Sequence, residues 1–164
     1  MSDALSQVPS QNFVITHKHS NGLHLEFDAV DVNLMALASE IRKYASEQGW
    51  SEPITMQIDL VLEELVLNAM SYGYPEGGAG CIRVHLQAEG ALIHIDIEDD
   101  GIPFNPFSQP QPDFSLSIED REIGGLGIHF VREFMDEFAY ERKGSQNHVS
   151  LVKHLHEDPE SSPL

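Results

Sequence analysis

The chain has 164 residues, of which 41% are apolar, 22% charged and 8% aromatic, enough apolar material for one core and too much for disorder or a fibrous repeat. Nine lysines and arginines against 27 aspartates and glutamates leave a formal charge of -18, which repels nucleic-acid backbones and anionic membrane surfaces. A single cysteine, Cys81, excludes an intrachain disulfide framework and a cysteine-built zinc site, and points to the cytoplasm. No basic and apolar leader opens the chain, and no run reaches the roughly 18 apolar residues of a membrane span.

Residues 1–9 and 156–164 are polar, acidic or proline-bearing and read as tails of a single domain over residues 10–155. The stretch from Phe13 to Phe27 breaks at Ser20, Asn21 and Gly22, with Val14, Leu23, Leu25 and Phe27 spaced for an edge hairpin. From Asp31, the expected N-cap, Leu34, Leu37, Ile41 and Tyr44 recur at helical spacing until Gly49. A second helix begins near Pro53 and runs to about Tyr72, where Gly73, Pro75, Gly77 and Gly78 end it; it is apolar on nearly every side and belongs at the centre. The strands IRVHLQA and LIHIDIE follow, turning at Glu89, Gly90 and Ala91. Pro103, Pro106, Pro110 and Pro112 then mark an aperiodic stretch, expected to be a lid over about residues 102–124. A third helix, roughly Leu126 to Phe134, leads to a strand from Glu137 to Arg142, a turn at Lys143, Gly144 and Ser145, and a closing strand from His148 to Leu155. This order predicts an α+β fold, a two-layer sandwich of a mostly antiparallel sheet with helices on one face.

Three segments carry chemistry. On the second helix Glu64 and Asn68 stand four residues apart, one above the other. Asn68 follows Val61 by seven residues and Leu65 by three, so it lies on or beside an apolar stripe, where an amide needs a partner. A satisfied helix-edge amide is the plain alternative. In LIHIDIEDDG, Ile93, Ile95 and Ile97 alternate toward the core, and the same parity turns Asp99, not Asp100, inward. That carboxylate either meets donors or caps its own turn. A calcium loop built from Asp96, Glu98, Asp100 and Gly101 fails, because its twelfth position is Phe107 where a bidentate glutamate is required. Finally, Gly124, Gly125 and Gly127 open the third helix, where backbone N–H groups and the helix dipole favour phosphate, although turn chemistry alone also explains such glycines. His17 and His19 share a strand face, but no third ligand for a metal is apparent from sequence.

In this order, DLVLEELVLNAMSYGYPEGG (59–78), IEDDGIPFNP (97–106) and GGLGIHFVREFMDEF (124–138) resemble the three ATP-binding boxes of the GHKL ATPase superfamily. More narrowly, the chain looks like the anti-sigma-factor serine/threonine kinases of the RsbW-like group, over about residues 10–155. The resemblance implies a Bergerat ATP-binding fold with ATP and Mg2+ as cofactors. Asn68 would ligate Mg2+, Glu64 would be the catalytic base, and Asp99 would accept the adenine amine with Gly101 beside it. Gly124, Gly125, Leu126 and Gly127 would wrap the phosphates, with Arg121 of the lid as the basic group. The implied partners are a sigma factor, a STAS-domain antagonist or both, with a homodimer as the assembly; the charge and the lack of long apolar runs add the expectation of no direct nucleic-acid or membrane contact. The competing readings are a nucleotide-sensing binding module without transfer activity, and a histidine-kinase catalytic domain whose phospho-acceptor helices would come from another chain.

Overall fold

The computed structural model describes residues 15–19, 22–30, 32–108, 115, 117 and 126–156. Six strands form one antiparallel sheet: β1 (Ile15–His19), β2 (Gly22–Asp28), β3 (Cys81–Glu89), β4 (Leu92–Asp99), β5 (Glu137–Lys143) and β6 (Gln146–His154). Their spatial order is β1-β2-β3-β4-β6-β5. Helices α1 (Leu34–Gln48), α2 (Glu52–Gly73) and α3 (Leu126–Phe134) complete the described elements, with a short 3-10 turn at Pro106–Ser108.

Strand side chains alternate between two faces, and the register lines the inward ones into rows. Leu23, Leu86, Ile95 and Leu151 form one row, and Leu25, Val84, Ile97 and Val149 the next; all eight are buried. Ile58, Val61, Leu62 and Leu65 of α2 and Ile128 and Val131 of α3 are buried in the same core. Each such side chain contributes about 1.5–3 kcal/mol relative to exposure. A one-residue slip would turn every row to the other face, so the apolar pattern fixes the register. One row further along, the pairing runs Phe27, Ile82, Asp99, Asn147 and Arg142. Here the face changes from apolar to polar, and the site lies at this edge.

The caps refine the boundaries read from sequence. Asn33, not Asp31, caps α1, its Oδ1 accepting from Ala36 N at 3.0 Å. The apolar spacing starts at Leu34, directly after Asn33, whereas Asp31 stands too far upstream and lies outside the described residues. Gly49 ends α1 with φ 71°, a left-handed conformation that glycine adopts without a steric cost. Ser51 caps α2, whose side chain accepts from Ile54 N, and Pro53 sits in the first turn. The hairpin of β1 and β2, the strands β3 and β4, and α3 fall where the periodicity places them.

Opposite the helices, His24, Arg83, His85, Asp96, Glu98 and His148 line a groove of about 350 Å³. His17 stands opposite His24, and His24 opposite His85. Among the described residues no three His, Cys, Asp or Glu groups are placed to hold a metal ion.

Candidate nucleotide site

Asp99 ends β4 with the inward parity of Ile93, Ile95 and Ile97 and is 8% exposed. Its Oδ1 accepts from Gly101 N at 2.9 Å and from Asn147 Nδ2 at 2.8 Å. Burial pushes the carboxyl above the usual range, while the Asn147 and Gly101 bonds and the Arg142 charge oppose that rise. Beside it the end of α2 and the loop after β4 meet backbone to backbone: Ile102 N donates to Gly73 O at 2.9 Å. A Cβ on Gly101 would lie 2.6 Å from Gly73 O and 2.7 Å from Gly73 Cα. Only glycine permits that approach.

Asp100 faces the other way and acts as a pin. It accepts from the Tyr74 hydroxyl and from Cys81 N, the latter at 2.9 Å, while the Tyr74 oxygen accepts from Asp100 N at 3.1 Å. These contacts tie the end of α2 to the start of β3 and the end of β4. Burial, followed by the bond and charge of Asp100, pushes the Tyr74 phenol far above its ordinary value. The Cys81 thiol is pushed up to about 11, chiefly by burial, and stays an inert thiol at neutral pH.

Asp99, Asn68 and Asn147 contribute the polar part of a cavity whose apolar walls are Leu65, Ala69, Ile97 and Val149, with Phe104 and Pro106 across it. The side chains leave about 20 Å³, room for roughly one water. Phe104 is held by a stack on Tyr72, with ring centroids 4.6 Å apart and planes 15° from parallel. A purine therefore enters only if the loop carrying Phe104 and Pro106 moves outward.

Asn68 reaches this cavity from α2, is 9% exposed, and makes no side-chain hydrogen bond among the described residues. A carboxamide on the cavity wall that makes no side-chain hydrogen bond among the described residues suits a hard divalent cation that keeps most of its waters. Glu64, one turn earlier and half-buried, does not line the cavity. Burial, then repulsion from Glu63, pushes its carboxyl up, the direction a general base near neutral pH requires. Residues of α2 and β4 far apart in sequence, Asn68 and Asp99, are thus brought to one cavity with Gly101 beside it. Leu126 and Gly127 begin α3, where the first N–H groups of a helix have no intrahelical partner. Arg121, Gly124 and Gly125 lie outside the described residues.

Sequence reasoning missed Asn147, Tyr140 and Arg142. Asn147 is 3% exposed. Its Nδ2 donates to Asp99 Oδ1 and Ile102 O, both at 2.8 Å, and its Oδ1 accepts from Tyr140 Oη at 2.7 Å, and from Phe104 N and Arg142 Nη1 at 3.1 Å. Arg142 Nη1 also donates to Gly101 O at 2.8 Å. The signal was present in QNHVSLVK, where Asn147 shares the inward parity of Val149 and Leu151, the same inconsistency that exposed Asp99.

The serine/threonine-protein kinase BtrW of Bordetella bronchiseptica is 28% identical over 67% of this chain and 78% of its own length. The anti-sigma F factors of Anoxybacillus flavithermus and Bacillus subtilis are 25% and 23% identical, each over 82% of this chain and 93% of the relative. Among solved structures, the RsbU and RsbW domains of a Mycobacterium tuberculosis protein match with a TM-score of 0.59 and 18% identity, over 82% of this chain. This chain spans 32% of that longer one, and the likeness concerns the fold. A family model, the histidine kinase-like ATPase domain, matches residues 27–153, a stretch that contains every site residue described above, and the chain belongs to that family.

Proposed function

We propose that this protein is an ATP-dependent serine/threonine protein kinase of the anti-sigma type, a cytoplasmic partner switch that binds a sigma factor, phosphorylates a STAS-domain antagonist, or does both. The observation that carries the reading is the meeting of Asn68 and Asp99 in one cavity, within a chain of this family. The relatives named as a serine/threonine kinase and as anti-sigma F factors support the choice of substrate class and partners. No described helix is long and apolar enough to cross a membrane.

Asp99 accepts the exocyclic amine of adenine, with Gly101 beside it packed against the Gly73 backbone. Asn68 would hold Mg2+ through its carboxamide oxygen, and the ion would supply charge neutralisation for the triphosphate. Glu64 accepts the proton of a partner serine or threonine hydroxyl. The hydroxyl oxygen bonds to the γ-phosphorus as the bond from that phosphorus to the bridging oxygen of ADP breaks, so phosphoserine or phosphothreonine and ADP result. The N–H groups at the start of α3, with Gly124, Gly125, Leu126 and Gly127, and Arg121 of the lid meet the phosphates. The acidic surface suits basic partners.

Incubation of the full chain with labelled ATP, Mg2+ and a STAS-domain partner tests the reading. Label on a partner serine or threonine is the expected result. ATP binding without transfer would support the nucleotide-sensing module instead, a reading favoured by the narrow cavity, which makes loop position depend on the ligand. Light scattering on the same preparations reads the implied dimer.

A further inference from the structure

We propose that Asn147 is a positioning residue that sets selectivity for a 6-aminopurine, by holding Asp99 with one carboxylate oxygen committed to the protein and the other offered to the base. The inference rests on the reading of Asp99 as the base-binding carboxylate and goes beyond it.

The orientation of the Asn147 amide is determined by its neighbours. An asparagine can be turned over with little change in shape, so the surrounding donors and acceptors decide which end is oxygen. Three donors converge on Oδ1: the Tyr140 hydroxyl, Phe104 N and Arg142 Nη1. Two acceptors face Nδ2: Asp99 Oδ1 and Ile102 O. Reversal would set N–H groups against donors and the carbonyl oxygen against a carboxylate, in a residue only 3% exposed. The amide is therefore locked as a donor toward Asp99.

The consequence falls on the carboxylate. Both of its hydrogen bonds use Oδ1, and among the described residues no donor meets Oδ2, while Asp99 lines the cavity. A carboxylate fixed in this way rewards an N–H donor on the ligand and repels a carbonyl oxygen at the same place, so an amine at the purine 6-position is favoured over an oxo group. The register supports this assignment, because Asp99, Asn147 and Arg142 stand in one row across β4, β6 and β5. Arg142 also donates to Gly101 O, so the same row holds the glycine whose N–H binds Asp99.

The test is calorimetric titration of the full chain with ATP and with ITP, which carries an oxygen in place of the amine, both with Mg2+. Wild type is expected to prefer ATP by at least about tenfold. Asn147→Ala is expected to remove most of that preference by weakening ATP while leaving ITP nearly unchanged. A merely structural role would weaken both nucleotides alike, and an unchanged ATP-to-ITP ratio in the variant overturns the inference. If wild type itself fails to distinguish the two, the assignment of Asp99 to the base falls first and takes the inference with it. Asn147→Asp keeps the shape and guards against misfolding of the alanine variant. It places a second carboxyl against Asp99, and the pair then shares a proton. Its ATP affinity should be poor at pH 8 and recover toward pH 6, with no recovery for Asn147→Ala; an Asn147→Asp profile parallel to that of wild type also overturns the inference.

Discussion

The two ends of the site are built by opposite means. At the end proposed for the base every group is tied to another: Asp99 to Gly101 and Asn147, Asn147 to Tyr140 and Arg142, Gly73 to Ile102. At the end proposed for the phosphates, Asn68 makes no side-chain bond among the described residues, and Glu64 sits half-buried beside Glu63 with its carboxyl pushed up. The contrast separates recognition, which needs geometry fixed before the ligand arrives, from transfer, which needs groups that change partner or protonation during the reaction.

Perturbing each end should therefore give a different signature. The largest effect is expected from Glu64→Gln: phosphate transfer to the partner falls by about 10² to 10⁴-fold while ATP affinity stays near wild type. Single-turnover transfer set beside a binding isotherm reads both, and undiminished transfer would remove Glu64 from the role of base. Gly101→Ala attacks the rigid end, driving a methyl group into the Gly73 backbone at 2.6 Å. ATP binding should weaken by about 100-fold and stability fall by about 1–3 kcal/mol, measured by calorimetry and thermal unfolding; normal ATP binding would show that the base end yields. Asn68→Ala should cost about 10- to 100-fold in ATP affinity with Mg2+ present and little with EDTA, with unfolding unchanged. Equal losses in both buffers would mean that Asn68 serves the fold.

The smallest effect concerns pH. Because the Glu64 carboxyl is held above its ordinary value of 4.5, the native chain binds its proton more tightly than the unfolded one. Its contribution to stability is lost as pH rises from about 4.5 through the raised value. Glu64→Gln removes that dependence, so the variant should equal wild type in acid and melt slightly higher, by no more than about 2 °C, at neutral pH. A gap that narrows as pH rises would contradict the sign.

Much of this was legible in the sequence where pattern and chemistry disagree. Asp99 was found because an alternating strand carried a carboxylate on its apolar parity, and the helices were found because their spacing is regular. Asn147 was equally visible by parity, but an amide in a strand draws less notice than a carboxylate, and its meaning depends on Tyr140, Arg142 and Phe104, which only the pairing of β4, β5 and β6 assembles. The pairing of Gly101 with Gly73 was likewise hidden, since it joins backbone atoms and leaves no side-chain signature. Nor did periodicity reveal how little space remains in the cavity, because Phe104 and Pro106 belong to an aperiodic stretch.

That narrowness links two quantities otherwise treated as separate. If purine entry requires the segment 102–108 to swing out, the work of displacing Phe104 from Tyr72 is charged against affinity. Any protein that grips the displaced segment relieves that work, so its own attachment tightens when ATP is present and ATP tightens when it is attached, by the same factor. Reciprocity of this kind would let an exchange of companions be read directly as a change in nucleotide retention.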